Sequence, residues 1–440
     1  MNTFRGLIVV VVMLAAHPAL AQEAIVLREN IDAGYQYHVS CRVQLSGKLA
    51  LPPDKGKTAP QTIDVNGQSA IEYDERILAL DKDRNVSKTI RHYGRMDFDR
   101  KVGDQVQANS LRQEASKLVL IRFKQMEVPF SPIGPLTWGE IDMVRTDVFT
   151  PALAGLLPDK SVRVGDRWPA SRASVQELTD LDRVQDGSLE CRLESISALG
   201  KRQHARISFS GTIRGLGEDG PARHQLDGFV LFDMESNHLG YLSMKGIHFM
   251  LDKDGKDAGK VEGTFVLTRQ PRNRIETLAD DALRGLTLEP NDDNTLLLFD
   301  NPDFGLRFLY PRRWRVAGSK GQQLGIDESN GSGLLLTVET LKRLPTAAQY
   351  LEESRNWLTQ QKVKILRSDS PRVLSAAPNH LENFGFDAIV EKQNVRLEYF
   401  VLRQAQGGVT IAARLLTRDL ADLQRDVQRI ARSMQVTRPQ

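Results

Sequence analysis

The sequence has few of the residues that build reactive or cross-linked sites. Its 440 residues contain 2 cysteines, 8 histidines and 4 tryptophans. It also lacks an excess of one charge, because 59 Lys and Arg face 56 Asp and Glu, a formal net charge of +3. This balance argues against a nucleic-acid partner. The remaining composition, 40% hydrophobic and 26% charged, is that of a globular protein, and the length favours two or three domains.

The N-terminus reads as a secretory signal peptide over residues 1–21. A short basic start is followed by an apolar run at residues 6–16 that is too short to span a membrane comfortably. Ala19 and Ala21 then form a small-x-small cleavage site. No cysteine follows the run, so there is no lipobox. We therefore expect a periplasmic or secreted protein with no membrane span after signal cleavage.

Cys41 and Cys191 each lie in a strand-like alternation. An exported compartment permits a disulfide between them, and two separate buried thiols are the alternative, since geometry decides. Neither residue opens a helix or has a histidine nearby at base spacing, which argues against a catalytic cysteine.

Residues 22–270 read as a β-rich domain of long hairpins, interrupted once by a helix that begins with the capping box Thr137 to Glu140. The runs at residues 156–168 and 228–233 resemble the β-rich domains of uncharacterised bacterial exported proteins. The pattern is also similar in style to the half-barrels of LolA/LppX-type lipoprotein and lipid carriers. That second likeness implies a curved sheet and identifies no residue.

A charged, turn-rich linker is predicted at residues 271–295, and a second domain at 296–440. Several strands, an amphipathic helix after Thr346, four strands and a terminal helix after Thr417 predict an antiparallel sheet with packed helices. The fold class is therefore α+β. A large curved antiparallel sheet or half-barrel comes first, and the sheet with packed helices follows.

The second domain opens with an aromatic-x-x-Pro-x-x-Trp entrance around Pro311 and Trp314. Together with the mid-domain helix and the final helix at residues 430–434, this entrance resembles the PsbP/DcrB-like α/β sandwich superfamily. The resemblance covers the last third of the chain and implies a fold. It implies no catalytic residue, so Pro311 and Trp314 are carried over as fold-defining positions.

Three patterns resemble functional sites, but each favours ordinary structure. Residues 215–220 satisfy G-x-G-x-x-G, but a strand follows where a phosphate site needs a helix. The acidic turns at Asp81 and Asp252 depart from the EF-hand spacing and predict hairpin turns. No histidine pair has zinc spacing, although His204, His224 and His248 could converge across neighbouring strands. We predict no catalytic, cofactor or metal residues.

The sequence thus favours an exported, non-catalytic binding or envelope-associated protein. Its partner would be an unknown protein, the envelope or an apolar small molecule. One alternative is a carrier of a lipid or other apolar ligand in the β-rich domain. The other alternative is a hydrolase whose site is assembled from distant strands.

Overall fold

The computed structural model describes residues 23–51, 61–123, 126–218 and 220–437. The predicted signal peptide, residues 1–21, lies outside them. In chain order the strands are β1 (Gln36–Leu51), β2 (Gln61–Leu80), β3 (Val86–Val102), β4 (Gln105–Ser110), β5 (Lys117–Phe123), β6 (Met126–Phe130), β7 (Leu136–Thr137), β8 (Arg167–Pro169), β9 (Arg183–Leu199), β10 (Arg202–Gly217), β11 (Gly220–Asp233), β12 (His238–Leu251), β13 (Asp257–Arg272), β14 (Leu297–Asn301), β15 (Leu306–Tyr310), β16 (Trp314–Lys320), β17 (Gln323–Glu328), β18 (Gly333–Glu339), β19 (Lys364–Ser375), β20 (His380–Val390), β21 (Gln393–Gln404), β22 (Gly407–Leu416) and β23 (Gln435–Val436).

Five α-helices and three short 3₁₀ helices lie between these strands in the described ranges. The α-helices are α1 (Trp138–Arg145), α2 (Arg172–Thr179), α3 (Asp280–Leu283), α4 (Ala347–Gln360) and α5 (Leu420–Ser433). The 3₁₀ helices are Gln113–Ala115, Thr150–Leu156 and Glu276–Leu278. Within the part of the chain that the structure describes, no helix is both long and apolar enough to span a membrane.

Twelve strands form one antiparallel sheet. Its order is β6-β5-β3-β2-β1-β13-β12-β11-β10-β9-β8, and β4 pairs with β3 off this path. Strands β9 to β13 form a meander in which sequence neighbours are also sheet neighbours. On β11 the even-numbered residues from Ala222 to Phe232 are mostly buried and the odd-numbered ones are more open, as the period of 2 of a strand requires.

Seven strands form a second antiparallel sheet in the order β16-β17-β18-β22-β21-β20-β19. Helix α4 packs Tyr350, Leu351 and Leu358 against a cluster that includes Phe384 and Tyr399. The helix begins at a capping box, in which Thr346 accepts from the Gln349 N–H and the Gln349 side chain accepts from the Thr346 N–H. The expected large antiparallel sheet, followed by a smaller one with helices, is confirmed.

A third sheet has four strands in the order β23-β15-β14-β7. In it β7 runs parallel to β14, with Leu136 opposite Leu297, so a strand of the first third of the chain pairs with the C-terminal part. The predicted helix after Thr137 is confirmed as α1, and the 3₁₀ helix Thr150–Leu156 follows it. Helix α2 was not predicted.

The chain divides into two compact units that do not follow sequence order. Of the residues that the structure describes, unit 1 contains those within 23–30, 45–64 and 149–268, and unit 2 contains those within 31–44, 65–148 and 269–437. The predicted β-rich domain therefore contributes to both units. The segment predicted as a linker, residues 271–295, buries Ile275, Leu278 and Leu283 in one cluster with Ile90 and Phe130 of unit 2.

Candidate functional site

Two histidines meet across neighbouring strands of unit 1. His224 on β11 lies directly opposite His248 on β12. The Nδ1 atom of His248 is 3.1 Å from the Nε2 atom of His224, within hydrogen-bond distance. The two rings are 4.5 Å apart at their centroids and stand edge to face at 72°. Of the three histidines considered for convergence, these two do converge.

His204 does not join them. It lies near the start of β10, opposite Asp233, whereas Ile213 of the same strand is the partner of His224. Nine residues of extended chain separate the two positions, about 30 Å at the rise of a strand. A register that sequence could not fix therefore decides which histidines meet.

The two imidazoles differ in their access to solvent. His224 is 8% exposed, and His248 is half-buried. Burial, and then the neighbouring His248, lower the pKa of His224 to about 3. The His224 ring is therefore neutral at physiological pH. A neutral imidazole has one N–H donor and one lone pair, so the tautomers decide which ring donates in this contact.

The face that carries this pair is otherwise apolar. We call it the histidine face, the side of β10 to β13 that carries both histidines. Its other members around the pair follow from strand register and alternation. They are Ile213, Ala222, Leu226, Gly246, Met250, Gly259 and Val261. Ile213, Ala222 and Leu226 are buried, but Met250 and Val261 are half-buried, so the face becomes more accessible from β11 towards β13.

Glycines bring backbones unusually close in this part of unit 1. A Cβ on Gly211 of β10 would lie 2.0 Å from the Ser188 carbonyl oxygen of β9, and one on Gly47 of β1 would lie 2.2 Å from that of Lys260 on β13. Gly187 on β9 has φ +89°, in the region that favours glycine. Glycine within a strand marks a tight bend or a close approach, and these positions have the close approach.

A serine and a histidine are also in contact in the turn between β11 and β12. The Oγ of Ser236 is 2.7 Å from Nδ1 of His238. Asp233 accepts the N–H groups of Glu235 and Ser236 and pairs with Arg202, so its carboxylate holds the turn together. This serine–histidine contact is local to one turn.

Both cysteines are free and buried. Of the two alternatives left open by the sequence, the structure contains the separate thiols. Cys191 on β9 lies opposite Phe209 of β10 and Trp168 of β8, and burial raises its pKa to about 12. Burial also raises the pKa of Cys41. The protonated thiols pack as small apolar groups, because the nucleophile and metal ligand is the thiolate.

Unit 2 contains a charged network that the sequence reading missed. The side chains of Arg91 and Glu75 are both 0% exposed. Arg91 donates from Nε to Glu75 at 2.9 Å and from Nη1 to Asp147 at 2.9 Å, and Tyr37 donates to Glu75 at 2.6 Å. Its guanidinium also stacks on Tyr73, 4.4 Å from the ring centroid. The available signal was the position of Glu75 and Arg91 amid apolar alternation on β2 and β3.

The two acidic turns are hairpin turns. The Oδ1 atom of Asp81 accepts the N–H groups of Asp83 and Asn85, and that of Asp252 accepts those of Asp254 and Lys256. The glycine-rich run at residues 215–220 spans the end of β10 and the start of β11. Among the described residues, no group of three or more His, Cys, Asp or Glu is arranged to hold a metal ion.

The predicted fold-defining residues lie in unit 2. Trp314 is 0% exposed, and its indole N–H donates to Asp426 of α5 at 2.9 Å. The Trp314 N–H donates to the Pro311 carbonyl, which places the two in one turn. Burial, and then the charge of Arg315, lower the pKa of Arg312 to about 10. Arg313 pairs with Asp426 at 2.5 Å, so the arginines beside Trp314 mainly stabilise the fold.

A depression with a volume of about 500 Å³ lies in unit 2. Its lining is mainly polar and includes Arg42, Gln68, Arg95, Asp97 and Asp99. Arg95 pairs with Asp97 at 2.6 Å and Gln68 with Asp99 at 3.1 Å. These charges neutralise one another, so the depression has no strong preference for one ligand charge.

No family model matches this chain, and no curated protein matches it either. Among solved structures, it is similar to PsbP (CyanoP) of the cyanobacterium Synechocystis sp. PCC 6803, with 13% identity over 32% of this chain and 92% of that one, at a TM-score of 0.26. Lipovitellin matches with 8% identity over 66% of this chain and 30% of that one, at 0.33. DynF of Micromonospora chersina matches with 8% identity over 58% and 88%, at 0.15. The structural match to CyanoP thus covers a third of the chain and carries no functional argument.

Proposed function

We propose that the chain is an exported, non-enzymatic binding protein whose ligand lies on the histidine face of unit 1. The basic, apolar and small-residue order of residues 1–21 supports export. The observation that carries the binding proposal is the contact between His224 and His248 at the border between the buried and the accessible part of an apolar face.

Ligand sites in proteins combine mainly apolar walls with a few placed polar groups. The histidine face has this composition, because two imidazoles lie among Ala222, Leu226 and Val261. This combination of apolar side chains with one polar pair supports a binding surface.

A ligand would enter from the side of β12 and β13. His248, Met250 and Val261 are half-buried there, whereas His224 and Leu226 on β11 are nearly closed to solvent. The buried residues on β11 exclude water from one side of the ligand, and the half-buried residues on β12 and β13 provide the surface that the ligand contacts. This gradient within one face is what a surface that receives a small ligand needs.

An apolar molecule, such as a lipid, is the second candidate ligand. It is favoured by the half-buried Met244, Met250 and Val261, whose apolar surface a ligand would remove from water. In this case the histidine pair would be a polar anchor beside an apolar contact.

The test is the composition of the protein as purified from its own compartment. Native mass spectrometry and elemental analysis of the mature chain should show a bound organic molecule or metal ion. Val261→Glu, which places a charge on the histidine face, should lose it. Thr264→Glu on the exposed side of the same strand is the matched control and should keep it. A wild-type protein without added mass, or an equal load in both variants, would refute the proposal.

A further inference from the structure

We infer that a depression in unit 2 binds a phosphate group through Arg312. The depression has a volume of about 320 Å³, at the lower end of the range for small-ligand sites. It lies among the loop before β14, the turn between β15 and β16, and helix α5. The arginines that line it are Arg312, Arg313, Arg425 and Arg429. The site shares no residue with the histidine face and does not depend on the proposed function.

Arg312 is held in place by two backbone carbonyls. Its Nε atom donates to the Thr295 carbonyl at 2.8 Å, and its Nη2 atom donates to the Pro129 carbonyl at 2.5 Å. A guanidinium has five N–H groups in a rigid plane. In the part of the chain that the structure describes, the other three, two on Nη1 and one on Nη2, have no acceptor. The side chain is thus preorganised and keeps donors for a ligand.

The charge of Arg312 has no carboxylate partner within the described ranges. Its side chain is half-buried, and the neighbouring Arg315 has the same sign. Burial, and then Arg315, lower the Arg312 pKa only to about 10, so the guanidinium is charged at physiological pH. A partly buried charge without a counter-charge is unfavourable, and an anion in the depression would supply that counter-charge.

The aspartates of the lining do not neutralise Arg312. They are Asp292, Asp422 and Asp426. Asp426 accepts from Nε of Arg313 at 2.5 Å and from the indole N–H of Trp314 at 2.9 Å. The other two are exposed to solvent. Water and salt screen exposed charges more than the half-buried charge of Arg312, which therefore dominates the potential inside the depression.

Two further arginines line the depression from α5. Arg425 and Arg429 are four residues apart, so they lie on the same side of the helix. Arg429 donates to the Asp292 carbonyl at 2.9 Å and to Asp293 at 3.2 Å. Arg425 pairs with Asp422, and these two side chains are 76% and 54% exposed. Such an exposed pair contributes little, so Arg425 can exchange its carboxylate for a bound anion at small cost.

The arrangement of the arginines favours phosphate over carboxylate. Arg312 comes from the turn between β15 and β16, whereas Arg425 and Arg429 come from the helix. A carboxylate has two oxygens in one plane, but a phosphate has oxygens in several directions and can accept from more than one guanidinium. A phosphomonoester also carries a charge of about −1.5 to −2 near pH 7, more than a carboxylate does. Free phosphate and a phosphate ester share this chemistry.

The test is a calorimetric titration of the mature full-length chain at low ionic strength. The probes are inorganic phosphate and glycerol 1-phosphate, and we expect one to bind per chain with an affinity that falls as salt is added. Equal affinities would support free phosphate as the ligand, and tighter binding of the ester would support a phosphomonoester. Acetate is the carboxylate probe. Acetate binding as tight as that of phosphate, or no phosphate binding by the wild type, would overturn the inference.

Variants place the phosphate in the depression. Arg312→Gln should weaken phosphate binding at least tenfold, and Arg425→Gln at least threefold. Asp422→Asn, which removes the partner of Arg425, should tighten it at least twofold. Arg307→Gln on β15 is the matched control, because it removes the same charge from an exposed residue outside the lining, and it should bind as the wild type does.

Circular dichroism shows whether each variant is folded. Equal phosphate affinity in folded Arg312→Gln and Arg307→Gln would overturn the inference. If Arg312→Gln does not fold, the exposed Arg425 decides, since Arg425→Gln that binds phosphate as tightly as Arg307→Gln would overturn it as well.

Discussion

Arg91 shows how one charge organises the interior of unit 2. It is fully buried and bonded to the carboxylates of Glu75 and Asp147, with Tyr93 within 3.1 Å of its guanidinium. Glu75 and Arg91 are also direct cross-strand partners on β2 and β3. Taking these charges out of water is costly, and the network offsets that cost only while it is complete.

Replacing Arg91 with Met should destabilise unit 2 by about 3–5 kcal/mol, because two buried carboxylates lose their guanidinium. Arg95→Met is the matched control on the same strand. The Arg95 and Asp97 side chains are 48% and 46% exposed, so that change should leave the free energy of unfolding nearly unchanged. Urea unfolding of both variants measures the difference. Equal midpoints would contradict a stabilising role of the network.

His224 should make the stability of unit 1 depend on pH. Its folded pKa, about 3, lies below the ordinary value, so the unfolded chain takes up a proton first as the pH falls. The contribution is complete above about pH 6.5 and is lost as the pH falls towards 3. At pH 5 it lowers the free energy of unfolding by about 2 kcal/mol relative to pH 8.

The measurement is the difference in unfolding free energy between pH 8 and pH 5 for wild type and His224→Gln. The variant should lack about 2 kcal/mol of that difference. Met244→Leu on β12 removes no ionisable group and should keep the full wild-type dependence. A His224→Gln protein with an unchanged pH dependence would show that folding does not lower the pKa of this imidazole.

At the scale of elements, the glycines of β9 and β10 allow the backbones of these two strands to approach closely. Gly211→Ala should cost about 1–3 kcal/mol, since its Cβ would lie 2.0 Å from the Ser188 carbonyl oxygen and the strands must separate. Gly139→Ala in α1 is the control. No atom lies within 4 Å of that new Cβ, and alanine favours a helix by up to about 1 kcal/mol. Thermal melting should therefore move in opposite directions for the two variants. A Gly211→Ala protein as stable as wild type would mean that the close approach relaxes freely.

Elements with strong local signals could be predicted from the sequence. The capping boxes at Thr137 and Thr346 satisfy backbone N–H groups within one turn, so they depend on no distant residue. Helix α2 was missed because its eight residues, from Arg172 to Thr179, are mostly polar and its apolar contacts come from elsewhere. Hydrogen bonds within one turn can be predicted from the sequence, whereas packing against residues far away in the chain cannot.

From the sequence, the contact between His224 and His248 could be predicted only as one possibility. Whether His224 faces His248 depends on the register of β11 against β12, and a shift of one residue would turn one ring to the other side. A bulge between Leu231 and Phe232 changes that register, and the residue types at this position do not predict a bulge. The buried network of Arg91 depended in the same way on pairing between distant segments.

At the scale of the molecule, the last third of the chain depends on earlier segments of unit 2. Leu297 and Leu298 are 0% and 3% exposed, and they pair with Leu136 and Thr137 of β7. Arg312 donates to the carbonyl of Pro129, and Arg315 stacks on Trp138 at 3.7 Å. A domain cut at residue 296 would lose all of these contacts.

A fragment of residues 296–440 should therefore be less stable than the same residues in the full chain. Hydrogen exchange should show lost protection in β14, which loses its pairing with β7. Protection should persist in β20 and β21, whose cluster with α4 lies within the fragment. Equal protection of β14 in fragment and full chain would show that this part of the chain folds by itself.

Because the segments of the two units alternate along the sequence, the units become complete at different times as the chain is synthesised. Residues 149–268 supply most of unit 1 as one stretch, whereas residues 31–44 and 65–148 must wait for residues 269–440 before unit 2 is complete. Until then long strands such as β2 and β3 present apolar faces and unpaired edges, which invite aggregation. A chain threaded N-terminus first across a membrane would meet this delay on the far side. The yield of folded protein beyond that membrane should depend on a chaperone that binds the incomplete chain more than on the stability of the finished fold.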